Sequence, residues 1–182
     1  MLTPEQERWI NHLSDDDKVI IKPFDSSAVE KFEAVKQRIL STLGDQTRVE
    51  HCGATSLGIS GQDEIDIYVP ALVEKFDILL PQLRSIFGEP KSLYPGERVR
   101  FTIEEKGKHI DVFLINEFSS GWIDSVKFET YLKTHPGALA DYQRLKEDGN
   151  GMSTREYYRR KIHFINEILS RVSLESKVIN GK

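Results

Sequence analysis

The segment Val49-Glu50-His51-Cys52-Gly53-Ala54-Thr55-Ser56, followed by Glu64-Ile65-Asp66-Ile67-Tyr68-Val69, decides how the chain reads. The second part alternates polar and apolar residues at period two, the pattern of a half-buried strand. The first part reads as a strand over Thr47 to Cys52 that runs into a Gly/Ser-rich loop, Gly53 to Asp63. Small residues there let backbone N–H groups approach an anion, and the hydroxyls of Thr55 and Ser56 add donors. A plain connecting turn has the same composition. Within the following strand Glu64 and Asp66 stand two apart and so project to one face. Neighbouring carboxylates repel unless they face water or share a cation, and a hard ion such as Mg2+ takes oxygen ligands. A third carboxylate, Asp111, lies inside the apolar segment His109-Ile110-Asp111-Val112-Phe113. There it is costly unless solvated, paired or metal-bound. If the two strands are neighbours, Glu64, Asp66 and Asp111 converge beside a phosphate-cradling loop, as two-metal phosphoryl or nucleotidyl transfer requires. The equal alternative is that Glu64 and Asp66 end a strand while Asp111 pairs with Arg98 or Arg100.

Outward from this core, helical and extended periods alternate. Thr3-Pro4-Glu5-Gln6 forms a capping box that opens a short helix through about Leu13. Val19 to Phe24 reads as a strand. Ser27 with Glu30 opens a long helix whose apolar set is Val29, Phe32, Val35, Ile39, Leu40 and Leu43, closed by Gly44. Val73 to Phe87 is helical by spacing. Val99 to Glu104 and His109 to Ile115 form a hairpin across the turn Glu105 to Lys108. From Gly121 onward the pattern is helical. Pro136 starts one helix, and Ser153 with Glu156 caps another that buries Tyr157, Phe164, Ile165, Ile168 and Leu169. Trp9, Phe24, Trp122 and Phe128 are expected in the core. The sum is an α+β chain with a small mixed sheet flanked by helices and a helical C-terminal half. Residues 1–17 read as an N-terminal helical segment, 18–174 as one domain and 175–182 as a flexible tail.

Composition narrows the function classes. Twenty-five Lys and Arg face 29 Asp and Glu, a net charge of −4, the wrong sign for a broad non-specific nucleic-acid binder. One cysteine, Cys52, excludes an internal disulfide framework and a Cys-rich zinc site. Cys52 itself reads as a small apolar strand residue. Apolar runs are far too short for a helical membrane span, and Met1-Leu2-Thr3-Pro4-Glu5 lacks the regions of a secretion signal, so a cytoplasmic location is expected. His109, His135 and His163 show no metal-ligand spacing. Arg98 and Arg100 share a strand face and suit phosphate or ion pairing. Arg155, Arg159, Arg160 and Lys161 form a basic stretch on the last helix.

Taken together, several motifs resemble the GrpB family, a branch of the nucleotidyltransferase superfamily with a polymerase-beta-like fold. Val19 to Asp25 (VIIKPFD) resembles the family's opening strand and turn. Val49 to Ser56 (VEHCGATS) is similar to its I-E-H-I-G-S-T-S signature, and Ile65-Asp66-Ile67 to its I-D-I. Tyr131 to Pro136 (YLKTHP), Asp141 to Lys146 (DYQRLK) and Tyr157 to Ile165 (YYRRKIHFI) resemble its helical segments. The resemblance implies transfer of a nucleoside monophosphate from a nucleoside triphosphate to an unidentified acceptor, with Mg2+ or Mn2+ as cofactor. It implies catalytic and metal-holding roles for Glu64, Asp66 and Asp111. It places nucleotide or phosphate contacts at Gly53, Ala54, Thr55, Ser56 and Lys161, with His51 orienting the loop or substrate; Arg100 is a phosphate candidate from its place on the strand alone. Ala54 departs from the usual Ser. If Asp66 is the first member of the superfamily's [DE]h[DE] pair, the second falls at Tyr68, a poor Mg2+ ligand. The alternatives are a nucleotide-binding protein that has lost its chemistry and a protein-interaction domain on the same scaffold.

Overall fold

The computed structural model describes residues 1–180, with side-chain environments through Glu175. The tail expected over 175–182 therefore falls largely outside the side chains described. The chain folds as two compact units. One comprises Pro23–Ile59 and Asp63–Ile123. The other comprises Met1–Lys22, Ser60–Gln62 and the chain from Asp124 onward.

The first unit is built on a five-stranded mixed sheet in the order β1-β2-β5-β4-β3. Its strands are β1 (Glu50–Cys52), β2 (Glu64–Ala71), β3 (Ser92–Tyr94), β4 (Arg98–Glu105) and β5 (Lys108–Asn116). β2 runs parallel to β5, and every other pairing is antiparallel. Alternation sends Ile65, Ile67 and Val69, Ile110, Val112 and Leu114, and Val99 and Phe101 to one face, where all are buried. Helix α2 (Ser27–Leu43) covers that face with Ala28, Phe32, Val35 and Ile39, and helix α4 (Phe76–Phe87) adds Phe76, Leu83 and Phe87. The opposite face carries the polar side chains of the same strands. β4 and β5 are joined by Lys106 and Gly107, both at positive φ with Glu105 paired to Lys108, the two-residue turn that suits a right-twisted hairpin.

Several expected elements differ in extent. Helix α2 begins at Ser27 after the N-cap Ser26, which makes no side-chain cap bond; Asp25, one residue earlier, accepts hydrogen bonds from the Ser27 N–H and hydroxyl at 2.9 and 2.8 Å. Val29 lies on the outer face of α2, 48% exposed, rather than in the core. The expected strand over Thr47 to Cys52 is paired only at Glu50–Cys52. The short helix α3 (Gly53–Ser56) and the edge strand β3 were not expected. Both are too short to show a period, and β3 holds Leu93 and Tyr94 out to solvent.

The second unit contains α1 (Pro4–Asn11), α6 (Pro136–Asp148) and α7 (Thr154–Asn180), with the larger part of α5 (Ser120–Thr134). The capping box of α1 forms as read, Thr3 and Gln6 exchanging hydrogen bonds of 2.9 and 3.1 Å. α1 is held to α7 by Arg159, which bonds Glu7 at 2.8 Å, and by Arg155, whose guanidinium reaches Asp15 and the Leu13 carbonyl. Phe128, Tyr142 and Phe164 pack ring against ring, and Tyr157 and Ile168 are fully buried. The segment read as a strand at Val19 to Phe24 makes only isolated bridges, Lys18 to Ser153 and Lys22 to Gly61. Val19 is buried while Ile20 is 66% exposed, so alternation is present without a partner strand. Trp122 and Phe128 are core residues as expected, whereas Trp9 (48%) and Phe24 (37%) are exposed. No helix among the described residues is long and apolar enough to cross a membrane.

Candidate functional site

The polar face of the sheet lays its side chains in rows set by strand register. One row reads Cys52 on β1, Asp66 on β2, Asp111 on β5 and Thr102 on β4. A step along, Glu64 pairs with His109 and His109 with Glu104. On the other side, Glu50, Tyr68, Phe113 and Arg100 form the next row. The parallel pairing of β2 with β5 thus makes Asp66 and Asp111 direct neighbours on one face. Glu64 shares that face, about 7 Å away along the strand. Among the described residues no three of His, Cys, Asp or Glu are grouped to hold one ion. The expected triad is therefore a pair in register with Glu64 one pleat away.

Asp111 is 3% exposed and both its oxygens are engaged. Arg100 donates from Nη2 to Oδ2 at 2.6 Å, and the Thr102 hydroxyl donates to Oδ1 at 2.6 Å. The pairing with Arg100 rather than Arg98 follows from register, because Thr102 opposes Asp111 and Arg100 is its diagonal neighbour on the same face. Arg98 instead lies over the rings of Tyr94 and Phe113. The Arg100 guanidinium is held above its ordinary pKa by its hydrogen bond to Asp111, against the cost of burial, and by the charges of Asp111, Glu64 and Asp66. His109 sits beside them, its Nδ1 2.6 Å from Glu104 and its Nε2 3.6 Å from Asp111. The next row is aromatic: Tyr68 stacks on Phe113 and on Trp122, at 4.6 and 5.2 Å between ring centres.

The loop of Gly53 to Ser56 meets this face at Asp66. Gly53 has φ +79°, and a Cβ there would collide with Asp66 Oδ2. The left-handed backbone favours glycine, and any Cβ there would push the Asp66 carboxylate aside. Thr55 is buried and turned inward, its hydroxyl 2.9 Å from His51 Nε2 and within 3.4 Å of the Glu64 carbonyl. Ser56 donates to the Gly53 carbonyl at 3.0 Å. Ala54 supplies only backbone to the loop, its carbonyl accepting from Ile59 N–H at 3.1 Å. His51 stacks on Phe32 of α2, 4.5 Å between centres, so it orients the loop from the packed side of the sheet. Lys161 belongs to α7 of the second unit, where its amine lies over the Tyr158 ring.

Gly53, Asp66 and Asp111 meet on this face together with Thr102 and the Tyr68–Phe113–Trp122 stack, which the sequence did not single out as site residues. Thr102 carried a signal only in hindsight, since its importance depends on which residue it faces across β4 and β5.

A family model described as GrpB protein matches residues 18–171. Among solved structures, the conserved protein GrpB from Enterococcus faecalis is similar with a TM-score of 0.66 and 23% identity, covering 86% of this chain and 99% of that one. The two share a fold. The ternary gap complex of Leishmania infantum polymerase beta matches at a TM-score of 0.42 and 11% identity, over 75% of this chain and 55% of that one. No curated protein matches the sequence.

Proposed function

We propose that this chain, which belongs to the GrpB family, is a Mg2+-dependent nucleotidyltransferase that moves a nucleoside monophosphate from a nucleoside triphosphate to an acceptor. The observation that carries this reading is the register that makes Asp66 and Asp111 neighbours on one sheet face, with the Gly53 turn seated against Asp66. The donor set suits the ion. Mg2+ typically takes one or two protein carboxylates and completes its shell with water and substrate phosphate. Two hard oxygen donors in register meet that need without a third. A bound Mg2+ supplies charge neutralisation at the triphosphate and acidifies an acceptor hydroxyl. The chain's own residues do the rest. Gly53 lets the loop close directly against Asp66. Glu64, one pleat from Asp66, is available to accept a proton from the acceptor. Thr102 fixes the rotamer of Asp111, and His51 fixes the loop through Thr55.

The test is a labelled-triphosphate transfer screen against fractionated cell extract, run with wild type and Asp66→Asn. Metal-dependent labelling that Asp66→Asn removes supports the proposal. An absence of label from protein that binds nucleotide and metal refutes transfer to the acceptors tested.

A second reading is favoured by the Arg100–Asp111 pair and by Ala54. In this reading the site is a nucleotide binder without chemistry, in which Arg100 stands permanently where a cation is needed. It predicts nucleotide binding that is indifferent to Mg2+ and to chelators.

A further inference from the structure

We propose that Arg100 is the resident cation of the carboxylate site, and that a divalent ion binding at Asp66 and Asp111 must displace its guanidinium from Asp111. The inference rests on reading these two aspartates as the ion-holding pair. Three observations support it. First, Asp111 is almost fully buried, and its Oδ2 is taken by Arg100 at 2.6 Å. An incoming ion therefore competes for the same oxygen. Second, Asp66 is the register neighbour of Asp111 on the same face, so an ion held by the pair would sit beside the guanidinium that Asp111 already holds. Third, the fit is incomplete. Arg100 Nε is buried with no hydrogen-bond partner, whereas the side chain as a whole keeps 36% of its exposure. A guanidinium offers five N–H donors, and an orphaned buried one is costly. A group fully matched to its place would not leave Nε empty-handed, and a side chain with a path to solvent is able to swing away. Thr102 stays on Oδ1 throughout and keeps Asp111 oriented.

The consequence is a set point for metal affinity. The charge-assisted bond between Arg100 and Asp111 opposes metal binding, so its loss tightens the site by about tenfold to a hundredfold. The probe is Mn2+, with the free ion followed by electron paramagnetic resonance in wild type, Arg100→Met, Arg100→Lys and Asp66→Asn. Arg100→Met is expected to bind Mn2+ at least about tenfold more tightly than wild type, Arg100→Lys within about threefold of it, and Asp66→Asn not at all. Arg100→Met equal to or weaker than wild type, with binding still lost in Asp66→Asn, overturns the role of Arg100 and leaves the ion site standing. No Mn2+ binding by wild type or Arg100→Met overturns the ion site and this inference with it. A measurement on the unaltered protein guards against a variant that fails to fold. Titration with Mg2+ is expected to move the Arg100 Nε–Hε resonance saturably. An unmoved resonance at Mg2+ concentrations that shift the Asp66 and Asp111 amides overturns the proposal.

Discussion

Replacing Gly53 by alanine tests the loop geometry most severely. The new Cβ meets two separate obstacles. The backbone at φ +79° costs an L-residue about 1–2 kcal/mol. The methyl also overlaps Asp66 Oδ2, the end of a half-buried side chain, and turning that carboxylate off its preferred rotamer costs about 0.5–1.5 kcal/mol more. Together they predict a loss of about 1.5–3.5 kcal/mol, a fall of the urea midpoint by about 0.7–1.5 M in an unfolding curve followed by far-UV circular dichroism. The two parts can be separated. In an Asp66→Ala background the oxygen and Cγ are gone, and the nearest remaining atom, Cβ at 3.6 Å, makes ordinary contact. There Gly53→Ala is expected to cost only the backbone part, about 1–2 kcal/mol, so the two substitutions couple by about 0.5–1.5 kcal/mol. Additivity within about 0.3 kcal/mol refutes the close approach of Gly53 to Asp66.

Other predictions concern the supports of the site. Thr55→Val leaves His51 without its hydroxyl partner and should lower stability by about 1–2 kcal/mol in the same urea assay, an unchanged midpoint counting against the anchoring role. Asp25 is held well below its ordinary pKa by the hydrogen bond from Lys108 and then by those from Ser27. A depressed carboxylate contributes stability that is complete above its unfolded value, about 4, and is lost as pH falls below it. The urea midpoint of the wild type should therefore decline below about pH 4 more steeply than that of Asp25→Asn. Superimposable profiles remove Asp25 from the account.

The sheet was readable because β2 and β5 carry their periods plainly, and the hairpin because Lys106 and Gly107 sit between two alternating strands. The pairing of Asp66 with Asp111 was readable only conditionally. Each lies on a recognisable strand, but adjacency depends on β2 and β5 running side by side in parallel, which no local pattern specifies. The partner of Asp111 was narrowed to Arg98 or Arg100 and no further. The two share a face, and register alone separates them. The Val19 to Phe24 segment shows the opposite failure. It has strand composition and alternation but ends in single bridges, since β-propensity reports a fit to a half-buried surface that tertiary structure has to provide. Trp9 is exposed because the eight-residue α1 fully buries only Ile10. The basic stretch on α7 is consumed in part by structure, Arg155 and Arg159 being spent on α1 and the turn after it.

The central claim is that Asp66 and Asp111 hold a divalent ion that brings a nucleoside triphosphate to this sheet face. Isothermal titration of nucleoside triphosphates into wild type and Asp66→Asn, each with Mg2+ and with chelator, tests it most directly. The account predicts binding by wild type that requires Mg2+ and disappears in Asp66→Asn. Equal affinity with and without the metal, retained by Asp66→Asn, contradicts it.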